Sequence, residues 1–157
     1  MLPAPGTKAP DFTLPSDEGS SVSLKSLRGS PVVLYFYPKD DTSGCTTEAC
    51  EFRDAWSGVK GSGARLLGVS PDGVRSHEKF RTKLDLPFPL LADEDHAVAE
   101  AYGVWGEKSM YGRKYMGILR TTFILDAQGR IARVFEKVKP AGHAEEVLDA
   151  LRELTTP

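Results

Sequence analysis

Val32-Val-Leu-Tyr-Phe-Tyr37, closed by Pro38, and Arg65-Leu-Leu-Gly-Val69 further along the chain decide the fold. Each is a short, continuous apolar run rich in β-branched or bulky residues, the pattern of a strand covered on both faces. Pro38 has no backbone N–H to offer a ladder and ends the first run. Between the two runs, Cys45, Ala49, Phe52, Trp56 and Val59 recur in steps of four, three, four and three. That spacing predicts one apolar stripe of a single helix with Cys45 in its first turn. Strand, helix, strand is a βαβ unit, so the two strands are expected to be parallel with a right-handed crossover.

Working outward, a second helix is predicted from Val74 to Leu84, opened by Ser70-Pro-Asp-Gly73 and stopped before Pro87. Thr121-Thr-Phe-Ile-Leu125 and Ile131-Ala-Arg-Val-Phe135 flank Asp126-Ala-Gln-Gly129, which reads as a hairpin. Near the end, Ala144, Val147, Leu148 and Leu151 share one helical face. At the start, Asp11-Phe-Thr-Leu14 and Ser21-Val-Ser-Leu24 flank an Asp-Glu-Gly turn, an added N-terminal β-hairpin. The order is βαβα, a short middle stretch, then ββα. This is an α/β chain with a mixed central sheet and helices on both faces, a thioredoxin-like fold. No repeat, low-complexity tract or linker divides the chain, so residues 1–157 are expected to form one domain.

Composition narrows the functional class. The 157 residues can bury roughly 70% of their unfolded surface, so no metal or disulfide is needed for folding. Twenty basic and 22 acidic residues give a net charge of −2, which points to neither nucleic acid nor an anionic membrane as partner. The opening Met-Leu-Pro-Ala-Pro-Gly-Thr-Lys lacks a basic region followed by an apolar run, and the longest apolar run is Val32–Tyr37. The expectation is a soluble, cytoplasmic chain.

There are two cysteines, Cys45 and Cys50, in Thr42-Ser-Gly-Cys-Thr-Thr-Glu-Ala-Cys50. Two are too few for a disulfide scaffold. Together with the scattered His77, His96 and His143 they make no zinc set, so the histidines are read as surface or packing residues and no metal or cofactor is expected. The pair is either redox-active or two unrelated buried thiols. A thiol attacks only as thiolate. Asp40, Asp41, Thr42, Ser43 and Gly44 form a turn of helix-capping residues, so Cys45 falls where free backbone N–H groups and the positive end of the helix dipole stabilise a negative sulfur. Five residues along a helix rise about 7.5 Å and turn about 500°, which leaves the Cα atoms roughly 8.6 Å apart. A disulfide needs them within about 6.8 Å. Pairing Cys45 with Cys50 therefore requires the helix to open. A dithiol oxidoreductase uses Cys-x-x-Cys, which closes with little rearrangement; the longer spacing here suggests that Cys45 reacts first with something else.

Phe36-Tyr-Pro-Lys-Asp-Asp-Thr-Ser-Gly-Cys45 resembles the P-x-x-x-T-x-x-C motif of peroxiredoxins, and the second cysteine five residues later resembles the bacterioferritin-comigratory-protein (PrxQ) branch. Ala9-Pro-Asp-Phe12, Gly68-Val-Ser70, Pro87-Phe-Pro-Leu-Leu-Ala-Asp93, and the stretch from Tyr102-Gly-Val-Trp105 to Arg120-Thr-Thr-Phe-Ile-Leu-Asp126 extend the likeness from about Gly6 to Leu154. The resemblance implies a thiol peroxidase for hydrogen peroxide and organic hydroperoxides, with Cys45 as peroxidatic and Cys50 as resolving cysteine. It also implies that Thr42 hydrogen-bonds thiolate and peroxide, that Pro38 limits water access, that Arg120 sits beside the sulfur, and that Glu48 orients Arg120. By the same resemblance thioredoxin or glutaredoxin recycles a disulfide within one chain, and the protein works as a monomer. A thioredoxin-type oxidoreductase and a peroxide-sensing redox switch are the alternatives. Trp105, Tyr111, Tyr115 and Met116 lie in a glycine-punctuated stretch that could line a peroxide entrance, dock a reductant or simply pack as loop.

Overall fold

The computed structural model describes residues 2–155. Among these residues, nine strands and five α-helices follow one another as β1 (Thr13–Pro15), β2 (Ser21–Ser23), a 3-10 turn (Leu24–Leu27), β3 (Val32–Phe36), α1 (Ser43–Asp54), α2 (Trp56–Gly61), β4 (Arg65–Ser70), α3 (Val74–Leu84), β5 (Leu90–Ala92), α4 (Ala97–Ala101), β6 (Trp105–Met110), β7 (Arg113–Ile118), β8 (Thr121–Leu125), β9 (Ile131–Phe135) and α5 (His143–Thr155). The central sheet has the order β5-β4-β3-β8-β9. β3, β4 and β5 run parallel, whereas β8 is antiparallel to β3, and β9 to β8. This is the mixed, thioredoxin-like sheet that the element order predicts.

β3 is buried along its whole length because its alternate side chains enter two different cores. Val33, Tyr35 and Tyr37 join Cys45, Ala49, Phe52, Phe80, Val147 and Leu151 on the face covered by α1, α3 and α5. Val32, Leu34 and Phe36 join Phe12, Leu14, Ala99, Tyr102 and Ile118 on the face covered by the N-terminal segment and α4. The β1–β2 hairpin and the β8–β9 hairpin form where expected. In the latter turn Asp126 Oδ1 accepts N–H bonds from Gln128 and Arg130, and Gly129 takes a positive φ.

Three features depart from the sequence reading. The single helix expected from Cys45 to Val59 is two: Ala55 leaves helical geometry (φ −92°, ψ 4°) and α2 starts afresh. The break turns α2 under α5, where Leu148 lies so close that a Cβ on Gly58 would stand 2.9 Å from its Cδ2. Trp56 is consequently only partly buried, while Val59 stays in the core. The middle stretch is also richer than expected, with β5 and α4. Lastly, the glycine-punctuated segment is a regular hairpin, β6 and β7, closed by the two-residue turn Tyr111-Gly112 with φ of 52° and 77°. Both values suit a type I′ turn, but Tyr in the first place hides the usual Asn-Gly signal.

Gly68 is the tightest point of the sheet. It lies between Tyr35 and Leu90 in the register. A Cβ there would meet Leu90 Cδ2 at 2.9 Å and the Tyr35 ring carbon at 3.0 Å. Gly68→Ala is expected to destabilise the protein by about 1–3 kcal/mol through overpacking, read as a lower urea midpoint; an unchanged midpoint would mean that Tyr35 and Leu90 move aside freely.

Candidate active site

The topology places one strand start and one helix start together. β3 ends at Phe36, and the antiparallel register sets Thr121 opposite it. Arg120, immediately before β8, therefore emerges at the sheet edge above which α1 begins. Cys45 is the third residue of α1, after the N-cap position Thr42. Its amide belongs to the first turn, whose N–H groups have no acceptor within the helix. The thiol is 1% exposed, and Cys50, one turn and a half further on, is half-buried; both are free.

Arg120 connects the parts. Its Nη2 donates to Cys45 Sγ at 3.2 Å and its Nη1 to Glu48 Oε1 at 2.5 Å. The fork of the guanidinium thus spans one turn of α1, touching a residue and its neighbour three positions on. Gly44 makes room: a Cβ there would stand 3.2 Å from Arg120 Nη2 and 3.4 Å from Pro140. Burial by itself would lower the basicity of Arg120, but Glu48 and the Cys45 sulfur outweigh it and the net direction is upward, so the group is a permanent cation. Glu48 goes the other way from an ordinary carboxylate. Its burial raises it to about 7 against the pull of Arg120. Its second oxygen, Oε2, is one of two buried polar side-chain atoms without a hydrogen-bond partner among the described residues; the other is the Tyr35 hydroxyl.

Thr42 and Pro38 lie in the turn that joins β3 to α1. The Thr42 hydroxyl donates to the Lys39 carbonyl at 2.8 Å and makes no capping bond to the helix. With its one proton committed, this oxygen offers only lone pairs to a substrate. Pro38 is half-buried and follows Tyr37, whose N–H still bonds to Val69 as the last rung beside β4. All six residues singled out by the sequence lie in or beside one region, and hydrogen bonds join Cys45, Glu48 and Arg120 directly.

Other groups escaped the sequence reading. Lys108, on β6, lies within electrostatic reach of both Arg120 and Cys45; burial and then Arg120 lower its basicity, and its ammonium donates to the Ile118 carbonyl at 2.9 Å. It lines, with Leu119, Arg120 and Val138, a cavity of about 540 Å³ beside the site. Of the two readings given for the histidines, surface or packing, His143 and His77 take the second: both are fully buried and hydrogen-bonded. His143 Nε2 meets the Thr122 hydroxyl at 2.8 Å, and burial lowers its basicity. His77 pairs with Asp40 at 2.7 Å. Ligand-type atoms of Asp40, Asp72 and His77 lie within 4.8 Å of one another. Each of these is already engaged in hydrogen bonds within the protein, so the group is a polar knot rather than a set of ligands aimed at a common point.

The chain as a whole, rather than this arrangement alone, is matched by known proteins. Residues 5–134 match the AhpC/TSA family. The chain belongs to this family of peroxiredoxins. It is 54% identical to a putative peroxiredoxin Bcp of Coxiella burnetii over 93% of this chain and 97% of the relative. It is 47% identical to peroxiredoxin Bcp of Bacillus subtilis over 96% of each. Among solved structures, the bacterioferritin comigratory protein of Xanthomonas campestris, described for its alkyl peroxide reduction activity, superposes with a TM-score of 0.91 at 39% identity, covering 98% of this chain and all of that one. These likenesses place the peroxiredoxin in the bacterioferritin-comigratory-protein (PrxQ) branch and make it a thiol peroxidase, acting on a peroxide with a thiol reductant. No helix among the described residues is long and apolar enough to cross a membrane.

The raised Glu48 has a consequence for stability. Between its ordinary value of 4.5 and about 7 the folded state keeps a proton that the unfolded chain has released. Stability therefore falls as pH rises through that window, by up to about 3 kcal/mol from this group, and is level above it. In Glu48→Gln the group is absent. The stability difference between wild type and variant, from urea unfolding at pH 4.5 and pH 7.5, is expected to shift against the wild type on going to the higher pH. A difference that stays flat would show Glu48 to be an ordinary ionised partner of Arg120.

Proposed function

We propose that this peroxiredoxin is an atypical two-cysteine peroxidase, in which Cys45 reduces the hydroperoxide and Cys50 resolves the product within the same chain. The observation that carries the reading is the 3.2 Å contact from Arg120 to Cys45 Sγ, with the same guanidinium fixed on Glu48. A sulfur anion there faces a cation and the free N–H groups of a helix start.

The Cys45 thiolate attacks the terminal oxygen of the hydroperoxide. An S–O bond forms and the O–O bond breaks; sulfur loses two electrons to give the sulfenic acid, and the departing oxygen takes up a proton to leave as water or an alcohol. Negative charge on the departing oxygen is met by Arg120, a fixed multi-donor cation. Thr42 accepts a hydrogen bond from the peroxide O–H, Pro38 restricts water, and Glu48 aims Arg120. The cavity beside Arg120 leaves room for the organic part of an alkyl hydroperoxide.

Resolution requires α1 to open, because both cysteines lie on that one helix. Cys50 then attacks the sulfenic sulfur, an S–S bond forms and water leaves. A dithiol donor, thioredoxin or glutaredoxin, returns both thiols by exchange. With the resolving thiol internal, one domain acting as a monomer in the cytoplasm suffices.

Cys45→Ser is expected to abolish thioredoxin-linked peroxide reduction, whereas Cys50→Ser should react with one equivalent of peroxide and accumulate a sulfenic acid that a dimedone probe captures. Turnover by the Cys45 variant would sink the assignment. Arg120→Lys keeps a charge but loses the fork, and its second-order rate with peroxide in stopped flow should fall about 10²–10³-fold. A rate equal to wild type would remove Arg120 from the mechanism.

A further inference from the structure

The turn that delivers Thr42 and Cys45 is tied down by a side-chain knot that the peroxidase chemistry does not use. Asp40, 6% exposed, is its centre. Its Oδ1 accepts the Tyr37 hydroxyl at 2.6 Å; its Oδ2 accepts the Ser76 hydroxyl at 2.7 Å and faces His77 Nδ1 at 2.7 Å. Its backbone N–H donates to Asp72 Oδ2 at 2.8 Å, which also accepts the Ser70 hydroxyl at 2.6 Å. On its far side, His77 Nε2 lies 2.9 Å from the Leu91 carbonyl. A carbonyl only accepts, so Nε2 is the donor in that contact. Through its carboxylate and its backbone N–H, Asp40 thus ties the turn after β3 to the first turn of α3, to the end of β4 by way of Asp72, and to β5 by way of His77.

The residues after Asp40 are held less firmly. Asp41 has φ of +59°, an unfavourable region for a residue with a side chain, and its carboxylate meets Lys83 only in an exposed pair. Thr42 is exposed and bonds back to the Lys39 carbonyl. Beyond Cys50 the chain is fixed again, by fully buried Phe52 and by Arg53 Nη1 on the Leu84 carbonyl at 2.8 Å. The segment that must open for a Cys45–Cys50 bond is bounded by these two anchors.

We infer that the Asp40–His77 pair is a positioning element for the peroxidase reaction: it clamps the strained turn that presents Thr42 and Cys45 to the peroxide, and it opposes the unwinding that brings Cys45 to Cys50. The clamp therefore acts in opposite senses on the two steps. Loosening it lowers the fraction of chains with an assembled peroxide site and raises the fraction already opened for resolution. The inference rests on the two-cysteine reading of the reaction.

The test is stopped flow on the full chain, tracking sulfenic acid formation and then disulfide formation, for wild type, Asp40→Asn and Ser76→Ala. Asp40→Asn keeps the size of the side chain but leaves one acceptor oxygen in place of two; Ser76→Ala removes a single half-buried donor and keeps the variant foldable. The peroxide step is expected to slow about 10- to 100-fold in Asp40→Asn and a few-fold in Ser76→Ala, while disulfide formation accelerates in the same order. General destabilisation would slow both steps together, and that result, or rates equal to wild type in both variants, overturns the inference. Wild type that forms no sulfenic acid would instead overturn the two-cysteine reading on which it rests.

Discussion

A single guanidinium fixes the relation between the sheet and the helix that carries the thiol. Arg120 has a fixed length and a planar fork, so its two contacts, on Cys45 and Glu48, hold for only one placement of α1 over the start of β8. The topology makes that placement available. Parallel β3 and β4 require a crossover whose helix begins at the C-terminal end of β3. Antiparallel pairing brings the first residue of β8 to the same end, with Thr121 facing Phe36. An all-parallel sheet would have carried Arg120 to the opposite edge. Gly44 then allows the close approach, and burial of Glu48 beneath the arginine keeps the second arm from turning out to water.

On the proposed two-cysteine reading, the same helix meets two demands that exclude one another. Peroxide chemistry needs the first turn intact, since its free N–H groups and Arg120 converge on the sulfur only there. Disulfide formation needs that turn undone. Packing resolves the conflict by making α1 uneven. Its second half is set in the core through Ala49 and Phe52, whereas its first residues, Ser43 to Thr47 apart from Cys45, are exposed or half-buried and held by polar contacts. Local opening draws on the parts with the least buried apolar area. On that reading the helix opens from the end that bears Cys45 and leaves the fold standing.

The elements that pack on themselves or on sequence neighbours were legible from the chain: β3, β4, α3, the β8–β9 hairpin and α5 declare themselves by period and by turn residues. The break at Ala55 was not, because the stripe from Cys45 to Val59 is continuous in sequence and only the approach of Leu148 from α5 makes a bend favourable. β5 is short and comes just after the prolines Pro87 and Pro89, which mask its apolar run. At the site, Cys45 could be placed at a helix start from capping residues alone, but nothing local marks Arg120, an arginine before an apolar strand, and only the family pattern joins it to the thiol. Lys108, His77 and His143 carried no usable signal. Their partners Ile118, Asp40 and Thr122 are distant in sequence or inconspicuous there, and only the folded chain brings them within hydrogen-bond range.

Two buried polar clusters meet α1 at its start, and they do different physical work. Arg120 with Glu48 supplies charge to the sulfur; Asp40 with His77 supplies rigidity to the backbone that leads into it. Neither is a good way to stabilise a protein, since taking ionisable groups out of water costs about as much as their attraction returns, and apolar residues of the same volume would serve stability as well or better. In Asp40 the cost is offset by satisfying both carboxylate oxygens and both histidine nitrogens. In Glu48 it is not: one oxygen stays without a partner, and the group holds its proton into the neutral range. A saturated network suits a part that must not move. An incompletely paired carboxyl beside a cation is a buried group whose charge changes near neutral pH, and on the two-cysteine reading the division of the two along Asp40 to Glu48 follows the boundary between the chain that stays and the chain that opens.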